Sequence, residues 1–179
     1  MKTSTSIIGI IVAMALSLII VLAGSHQGIE RAGIPLFAWI AVAIFAIQWV
    51  VFIPSWFAHS EHFFDLTGSV TYLVVVVACL SSVDSIEPRS LLIGAMVSIW
   101  ALRLGWFLST RVRAAGSDSR FDVMKHRFAW FLMTWTLGGL WVLVTMAAGL
   151  AAITSNITEP LGVLSYIGIS LWLFGFAVE

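Results

Sequence analysis

The stretch that decides the fold of this chain is WALRLGWFLSTRVRAAGSDSRFDVMKHRF, residues 100–128. Its first half is apolar, and six of the nine lysines and arginines lie between Arg103 and Arg127. A basic cluster after an apolar run orients a membrane helix, contacts anionic headgroups or holds a phosphorylated ligand. Arg103 lies inside the run, where a cation costs about 2.5–3.5 kcal/mol on insertion scales. We therefore expect Arg103 to face the interior, with Asp65 as its partner.

The composition indicates a membrane protein. The chain has 179 residues, of which 60% are hydrophobic and only 10% charged, and its formal net charge is zero. A soluble domain of this size does not have such a composition. The single cysteine excludes an internal disulfide, and the membrane context argues against nucleic acid as a partner.

Apolar runs recur along the chain at lengths close to the roughly 20 residues that cross a bilayer as a helix. They predict an all-α transmembrane bundle of about six spanning helices, forming a single domain over residues 1–179. We interpret the first run as a spanning helix rather than a cleaved signal. The runs are Ile7–Ala23, Leu36–Phe57, Asp65–Leu80, Leu91–Val112, Ala129–Ile153 and Leu161–Val178.

The basic residues predict the orientation. With six spans, the amino terminus, the loops at 58–64 and 113–128 and the carboxyl terminus share one side of the membrane. That side carries seven of the nine basic residues. Because basic loops stay inside, we expect this side to be cytoplasmic.

A polar motif opens the third run, EHFFDLTGSVTY at residues 61–72. On a helix, Glu61, Asp65, Gly68 and Tyr72 would share one face. Gly68 would admit a close approach, and a carboxylate could orient the phenol as a proton donor. The alternative is that the acids favour the start of a helix through its dipole.

The histidines beside this motif superficially resemble a metal site. His59, Glu61, His62 and Asp65 lie close in sequence, but their spacing is not that of His-Glu-x-x-His. We interpret the histidines as interfacial and predict no metal.

Arginines also surround a flexible turn. Arg111, Arg113 and Arg120 flank residues 116–118, and arginines beside a glycine-containing turn suit the phosphates of a dinucleotide. The chain has no GxGxxG, which excludes a Rossmann site. The alternative is a topology signal that contacts anionic lipids.

Together these motifs resemble the DUF1295 proteins, bacterial relatives of the steroid 5-alpha-reductase superfamily. The resemblance lies in residues 61–72, 100–111 and 116–121 and extends from about Pro54 to Glu179. It implies an integral protein of the bacterial inner membrane. The implied activity is an NADPH-dependent reduction of a carbon–carbon double bond in a lipid or steroid-like enone. The alternative is a non-enzymatic membrane or lipid-binding protein.

The resemblance also implies cofactor contacts. Arg103, Arg111 and Arg120 would hold the cofactor, Asp118 would orient them, and Glu179 would begin the family's next cofactor-binding region. We expect residues 1–179 to be the amino-terminal part of a longer family fold and, on their own, to bind NADPH weakly.

For catalysis, the resemblance implies a tyrosine–carboxylate pair that polarises the substrate carbonyl. Tyr72 and Asp65 are the predicted pair, with Glu61 as a further catalytic candidate.

Overall fold

The computed structural model describes residues 2–115, 118–157 and 160–178, and these residues form a bundle of six α-helices. Five of them, α1 to α5, are long and apolar enough to cross a membrane, and α6 is a shorter apolar helix of 16 residues. The all-α prediction is confirmed, and the chain is an integral membrane protein. The helices are α1 (Thr3–Gly24), α2 (Leu36–Phe57), α3 (Phe64–Ser82), α4 (Pro88–Ala115), α5 (Phe128–Ile153) and α6 (Val163–Val178).

The helices begin and end close to the boundaries of the apolar runs. Pro54 lies in the last turn of α2, which nevertheless continues to Phe57. Pro88 begins α4, where a missing backbone N–H leaves no hydrogen bond unmade. Polar flanks therefore set the helix ends.

A short hairpin precedes α2 in a segment that the sequence indicates only as a polar loop. Strand β1 (Glu30–Arg31) pairs antiparallel with β2 (Ile34–Pro35). Ala32 and Gly33 between them have φ of 54° and 76°, as a two-residue hairpin turn requires.

The loops at this end of the bundle are joined by hydrogen bonds to main-chain oxygens. Arg31 Nη2 donates to the Ser82 carbonyl at 2.7 Å, and Arg89 Nη2 donates to the Ile157 carbonyl at 3.1 Å. Asn156 Nδ2 donates to the Gly28 carbonyl at 2.9 Å. These bonds link the hairpin segment, the end of α3, the start of α4 and the loop after α5 across one end of the bundle, which we call the hairpin end.

The opposite end carries the loop at 58–63 and the segment 118–127, and we call it the charged end. Thr3, at the start of α1, lines a cavity together with Arg127, so the amino terminus also lies here. The amino terminus and these two loops therefore share one side, as predicted.

Packing divides the helices into an interior set and a peripheral set. The main core lies between α2, α3 and α5, around fully buried Ile44, Cys79 and Leu143. A second, aromatic core of Phe52, Phe121, Phe131 and Trp135 lies at the charged end. Phe121 comes from a short 3-10 turn, Ser119–Phe121, so this core holds the segment 118–127 against the bundle.

Helix α1 packs along α5 through small residues. Ser6, Ala13 and Ser17 are buried in this contact, and a Cβ on Gly9 would lie 2.5 Å from Met133 Sδ. Small side chains let two membrane helices approach closely. Helix α6, in contrast, has no buried residue among those described.

Candidate functional site

A cavity of about 390 Å³ lies between α2, α3, α4 and α5, and we call it the central cavity. Asp65, Gly68 and Tyr72, three of the four residues that were predicted to share a helical face, line it. Glu61 precedes α3 and is directed elsewhere. The other lining residues are Gln48, Phe64, Ser69, Leu104, Leu108, Thr134, Leu137, Gly138, Trp141 and Val142.

Tyr72 lines the central cavity and also a second cavity, beside α6, that Thr145 lines as well. Its ring lies edge-on to Trp100, with 5.0 Å between centroids, and its hydroxyl is 2.6 Å from Thr145 Oγ1. Thr145 Oγ1 is also 2.8 Å from the Trp141 carbonyl. A hydroxyl has one proton. If Thr145 donates to Trp141, Tyr72 donates to Thr145; if Thr145 donates to Tyr72, the phenol proton is available to a ligand.

Asp65 does not contact Tyr72. The two residues are seven positions apart on one helix, which is roughly 10 Å at 1.5 Å per residue. The described contacts give the phenol a different partner, Thr145. The predicted tyrosine–carboxylate pair is therefore not formed as a direct contact.

The expected pairing of Asp65 with Arg103 is wrong. Asp65 Oδ2 accepts from Arg111 Nη2 at 3.1 Å. Asp65 lies in the first turn of α3, and the adjacent α4 brings its carboxyl-terminal part to that level. Arg111 belongs to that part, whereas Arg103 lies eight residues earlier, about 12 Å along the helix.

Arg103 instead joins α4 to α6. Its Nη1 donates to the Phe176 carbonyl, and its guanidinium lies 4.5 Å from the centroid of the Phe176 ring. Because the free carbonyls at a helix carboxyl terminus favour a cation, this contact offsets part of the cost of the charge. Arg103 is thus partly buried as expected, but it is not beside Arg111 and Arg120 at the charged end.

Glu61 fastens the segment 118–127 to the bundle. Its Oε2 is 3.0 Å from Lys125 Nζ, and its Oε1 accepts from the Asp118 N–H at 3.2 Å. Burial raises the pKa of the Glu61 carboxyl, but the hydrogen bonds from Asp118 and Lys125 outweigh it, so the pKa lies below 4.5. The hydrogen bond to Glu61 raises the pKa of Lys125 above 10.5.

Asp118 and Arg120 form the outermost pair. Arg120 Nε lies 2.9 Å from both carboxylate oxygens of Asp118, and Asp118 Oδ1 also accepts from the Arg120 N–H at 3.0 Å. The hydrogen bond from Arg120 lowers the pKa of Asp118, and Arg111 is near enough to lower it further. We call the six residues Glu61, Asp65, Arg111, Asp118, Arg120 and Lys125 the charged mouth. Glu179, the remaining predicted cofactor contact, lies outside the described residues.

The histidines of the charged end contact other rings. The His59 ring lies 4.8 Å from that of His126 and 5.5 Å from that of Trp56. Among the described residues, no group of three or more His, Cys, Asp or Glu is placed to hold a metal ion.

Gln48 was not predicted to belong to the site. This side chain is only 1% exposed, lines the central cavity, and donates from Nε2 to Thr71 Oγ1 at 3.1 Å. Its signal in the sequence was a lone amide inside an apolar run. Polar groups in membrane helices are expensive and face the interior.

A comparison with protein families gives one match. The model of a family described as "Protein of unknown function (DUF1295)" matches residues 48–179, well over half of the chain. The matched range contains the charged mouth and the residues that line the central cavity. No curated protein and no solved structure matches the chain significantly.

Proposed function

Because the chain belongs to the DUF1295 family, we propose that it is a membrane-embedded reductase of lipid or steroid-like enones that uses NADPH. The observation that carries this proposal is the central cavity: an apolar chamber with a phenol on its wall. Pockets that bind small apolar molecules have this character, with a few polar groups that fix the orientation of the ligand.

Tyr72 would act on the carbonyl oxygen of the enone. When Thr145 turns its proton toward Tyr72, the phenol donates to the carbonyl and draws electron density from the conjugated double bond. The β-carbon then accepts a hydride more readily, and the enolate that forms takes a proton at its α-carbon from water to complete the reduction. NADPH, when bound, would supply that hydride. Thr145, rather than Asp65, is the residue that positions the phenol.

The charged mouth supports contacts to phosphate, but weak ones. The side chains of Arg111 and Arg120 are 47% and 63% exposed, so each can turn from its aspartate to a phosphate. Exposed ion pairs are worth roughly 0–1 kcal/mol, which makes the exchange feasible. However, Asp65 and Asp118 would then lie unpaired beside a dianion, so the net gain is small. We propose Arg111 and Arg120 as phosphate contacts and do not assign that role to Arg103.

One observation favours a second function, that of a non-enzymatic lipid-binding protein. Within the charged mouth, each of the three cations already has a carboxylate partner. The charge at this site is therefore balanced without a phosphorylated ligand. Such a protein would use the central cavity for a lipid alone.

We further propose that the charged end faces the cytoplasm of a bacterial inner membrane, because that end carries most of the basic residues. A reporter that is active only in the cytoplasm, fused after Ser117, should be active. A periplasmic signal from the same fusion would overturn both this orientation and the role of the arginines.

NADPH titration of the purified protein in detergent tests the cofactor. We expect weak binding that decreases with added salt, because exposed charges are screened. Arg111→Ala and Arg120→Ala should weaken it further. Arg31→Ala, at the hairpin end, is the matched control and should not.

Following NADPH oxidation with an added enone tests the reaction. Enone-dependent oxidation that Tyr72→Phe abolishes would support the reductase, and oxidation that Tyr72→Phe leaves unchanged would refute the role of the phenol. Lipid binding without any NADPH binding would favour the second function.

A further inference from the structure

The central cavity is lined by a buried side chain, Gln48, and one polar atom of this side chain has no hydrogen-bond partner among the described residues. Gln48 lies midway along α2 and is 1% exposed. Its only described side-chain hydrogen bond joins one end of its amide to Thr71 Oγ1 at 3.1 Å. The other end of the amide is left without a partner.

Thr71 decides which end of the amide this is. The Thr71 hydroxyl lies 2.6 Å from the Thr67 carbonyl, one helical turn earlier, and gives its single proton there. It can therefore only accept from Gln48, and the atom facing it must be the donor Nε2. The atom left over is Oε1, which can only accept.

Gly138 keeps the space beside Oε1 open. A Cβ at this position would lie 3.3 Å from Gln48 Oε1 and 3.4 Å from the ring of Phe64. Gly138 and Gln48 both line the central cavity. The absence of a side chain at residue 138 thus leaves room for a ligand group next to the oxygen.

We infer that Gln48 Oε1 accepts a hydrogen bond from a hydroxyl group of the bound lipid. This rests on the proposed function in that the central cavity holds the lipid, and it names the class: a hydroxylated lipid. Gly138 and Thr145 are seven residues apart on α5, so the acceptor and the Tyr72 hydroxyl are separated by roughly 10 Å. The substrate would therefore carry a hydroxyl about that far from its carbonyl oxygen.

Selectivity follows from burial. A ligand without a donor would cover Oε1 and leave it unpaired, and an unpaired buried acceptor is unfavourable. A ligand with a hydroxyl satisfies it. We expect a preference of about tenfold for the hydroxylated ligand, within the range for such groups.

A matched pair of probes tests this: tritiated hexadecanol and its methyl ether, bound to the protein in lipid nanodiscs, with empty nanodiscs as background. The ether has nearly the same size but no donor. The wild-type protein should bind the alcohol about tenfold more tightly. Gln48→Met, which keeps the length of the side chain, should bring the ratio near one by weakening only the alcohol.

Thr71→Val provides a second variant if Gln48→Met does not fold. Without the Thr71 hydroxyl, the Gln48 amide is free to turn its donor toward the cavity, and the ratio should decrease. Thr134→Val is the control, because Thr134 lines the same cavity but gives its proton to the Trp130 carbonyl. Its ratio should stay at the wild-type value.

The outcomes separate this inference from the proposed function. Equal binding of both probes by the wild type, or a preference that survives Gln48→Met, would overturn the role of Gln48 and leave the lipid cavity standing. Failure of both probes to bind would overturn the cavity as a lipid site, and the role of Gln48 with it.

Discussion

Replacing Glu61 with alanine should release the segment 118–127 from the bundle. The Glu61 and Lys125 side chains are 9% and 17% exposed, so their ion pair is largely shielded from water. The substitution removes the acceptor of the Asp118 N–H, a loss of about 1 kcal/mol. Lys125 Nζ keeps a second carboxylate partner, Asp122, at 3.5 Å, so its charge is not left unpaired. Loss of the ion pair with Glu61 therefore costs only about 1 kcal/mol. The segment should therefore open more easily by about 2 kcal/mol.

Limited trypsin digestion measures this opening, because Arg120, Lys125 and Arg127 are cleavage sites within the segment. When opening is fast, cleavage follows the population of the open form. A change of 2 kcal/mol corresponds to about a 30-fold faster cleavage in the variant.

Asp84→Ala is the matched control at the hairpin end. The Asp84 side chain is 88% exposed and pairs with Arg31 at 2.7 Å, and such a pair contributes little. Its cleavage rate within 118–127 should equal that of the wild type. An increase of less than about threefold for Glu61→Ala would refute the reasoning, because the segment would then be held by its other contacts.

Three further outcomes are expected. The Glu61–Lys125 pair should stabilise the segment fully between about pH 4.5 and 10.5. The pKa of Glu61 is lowered, so the stabilisation is lost when the pH falls through that pKa. The pKa of Lys125 is raised, so the stabilisation is also lost when the pH rises through that pKa. Hydrogen exchange across the pH range checks this, and protection that is unchanged at pH 3 would contradict it. Gly139→Ala should lower the free energy of unfolding, measured by thermal denaturation, by about 1–3 kcal/mol, because the new Cβ would lie 2.8 Å from a ring on α2. Gly168→Ala, in open space on α6, should leave it unchanged. Arg103→Gln should speed hydrogen exchange in the last turn of α6 and leave α1 unchanged; equal exchange in α6 would show that other contacts hold this helix.

The helices could be predicted closely because the length of an apolar run and its polar flanks set a membrane helix. Leu36–Phe57 coincides with α2, and the other boundaries differ by a few residues. The amino terminus of α1 begins earlier, at Thr3, because the polar residues there are compatible with a helix. The hairpin was not predicted, since the signal was one short turn with a non-glycine residue at positive φ, Ala32.

The candidate site was predictable in part. Helical period alone places Asp65, Gly68 and Tyr72 on one face, and they do line one cavity. The partners were not predictable, because they depend on how far adjacent helices are shifted along each other. Because of that shift, Asp65 pairs with Arg111 and not with Arg103. The catalytic and cofactor roles of these residues stay predictions.

The two ends of the bundle are held by different kinds of contact, so they should respond differently to salt. At the hairpin end, hydrogen bonds from Arg31, Arg89 and Asn156 to main-chain oxygens lace the loops together. At the charged end, the outer contacts are exposed ion pairs such as that between Arg111 and Asp65. Salt screens such pairs. Added salt should therefore weaken the outer contacts of the charged end more than the hydrogen bonds of the hairpin end, while the aromatic core beneath the segment 118–127 stays in place.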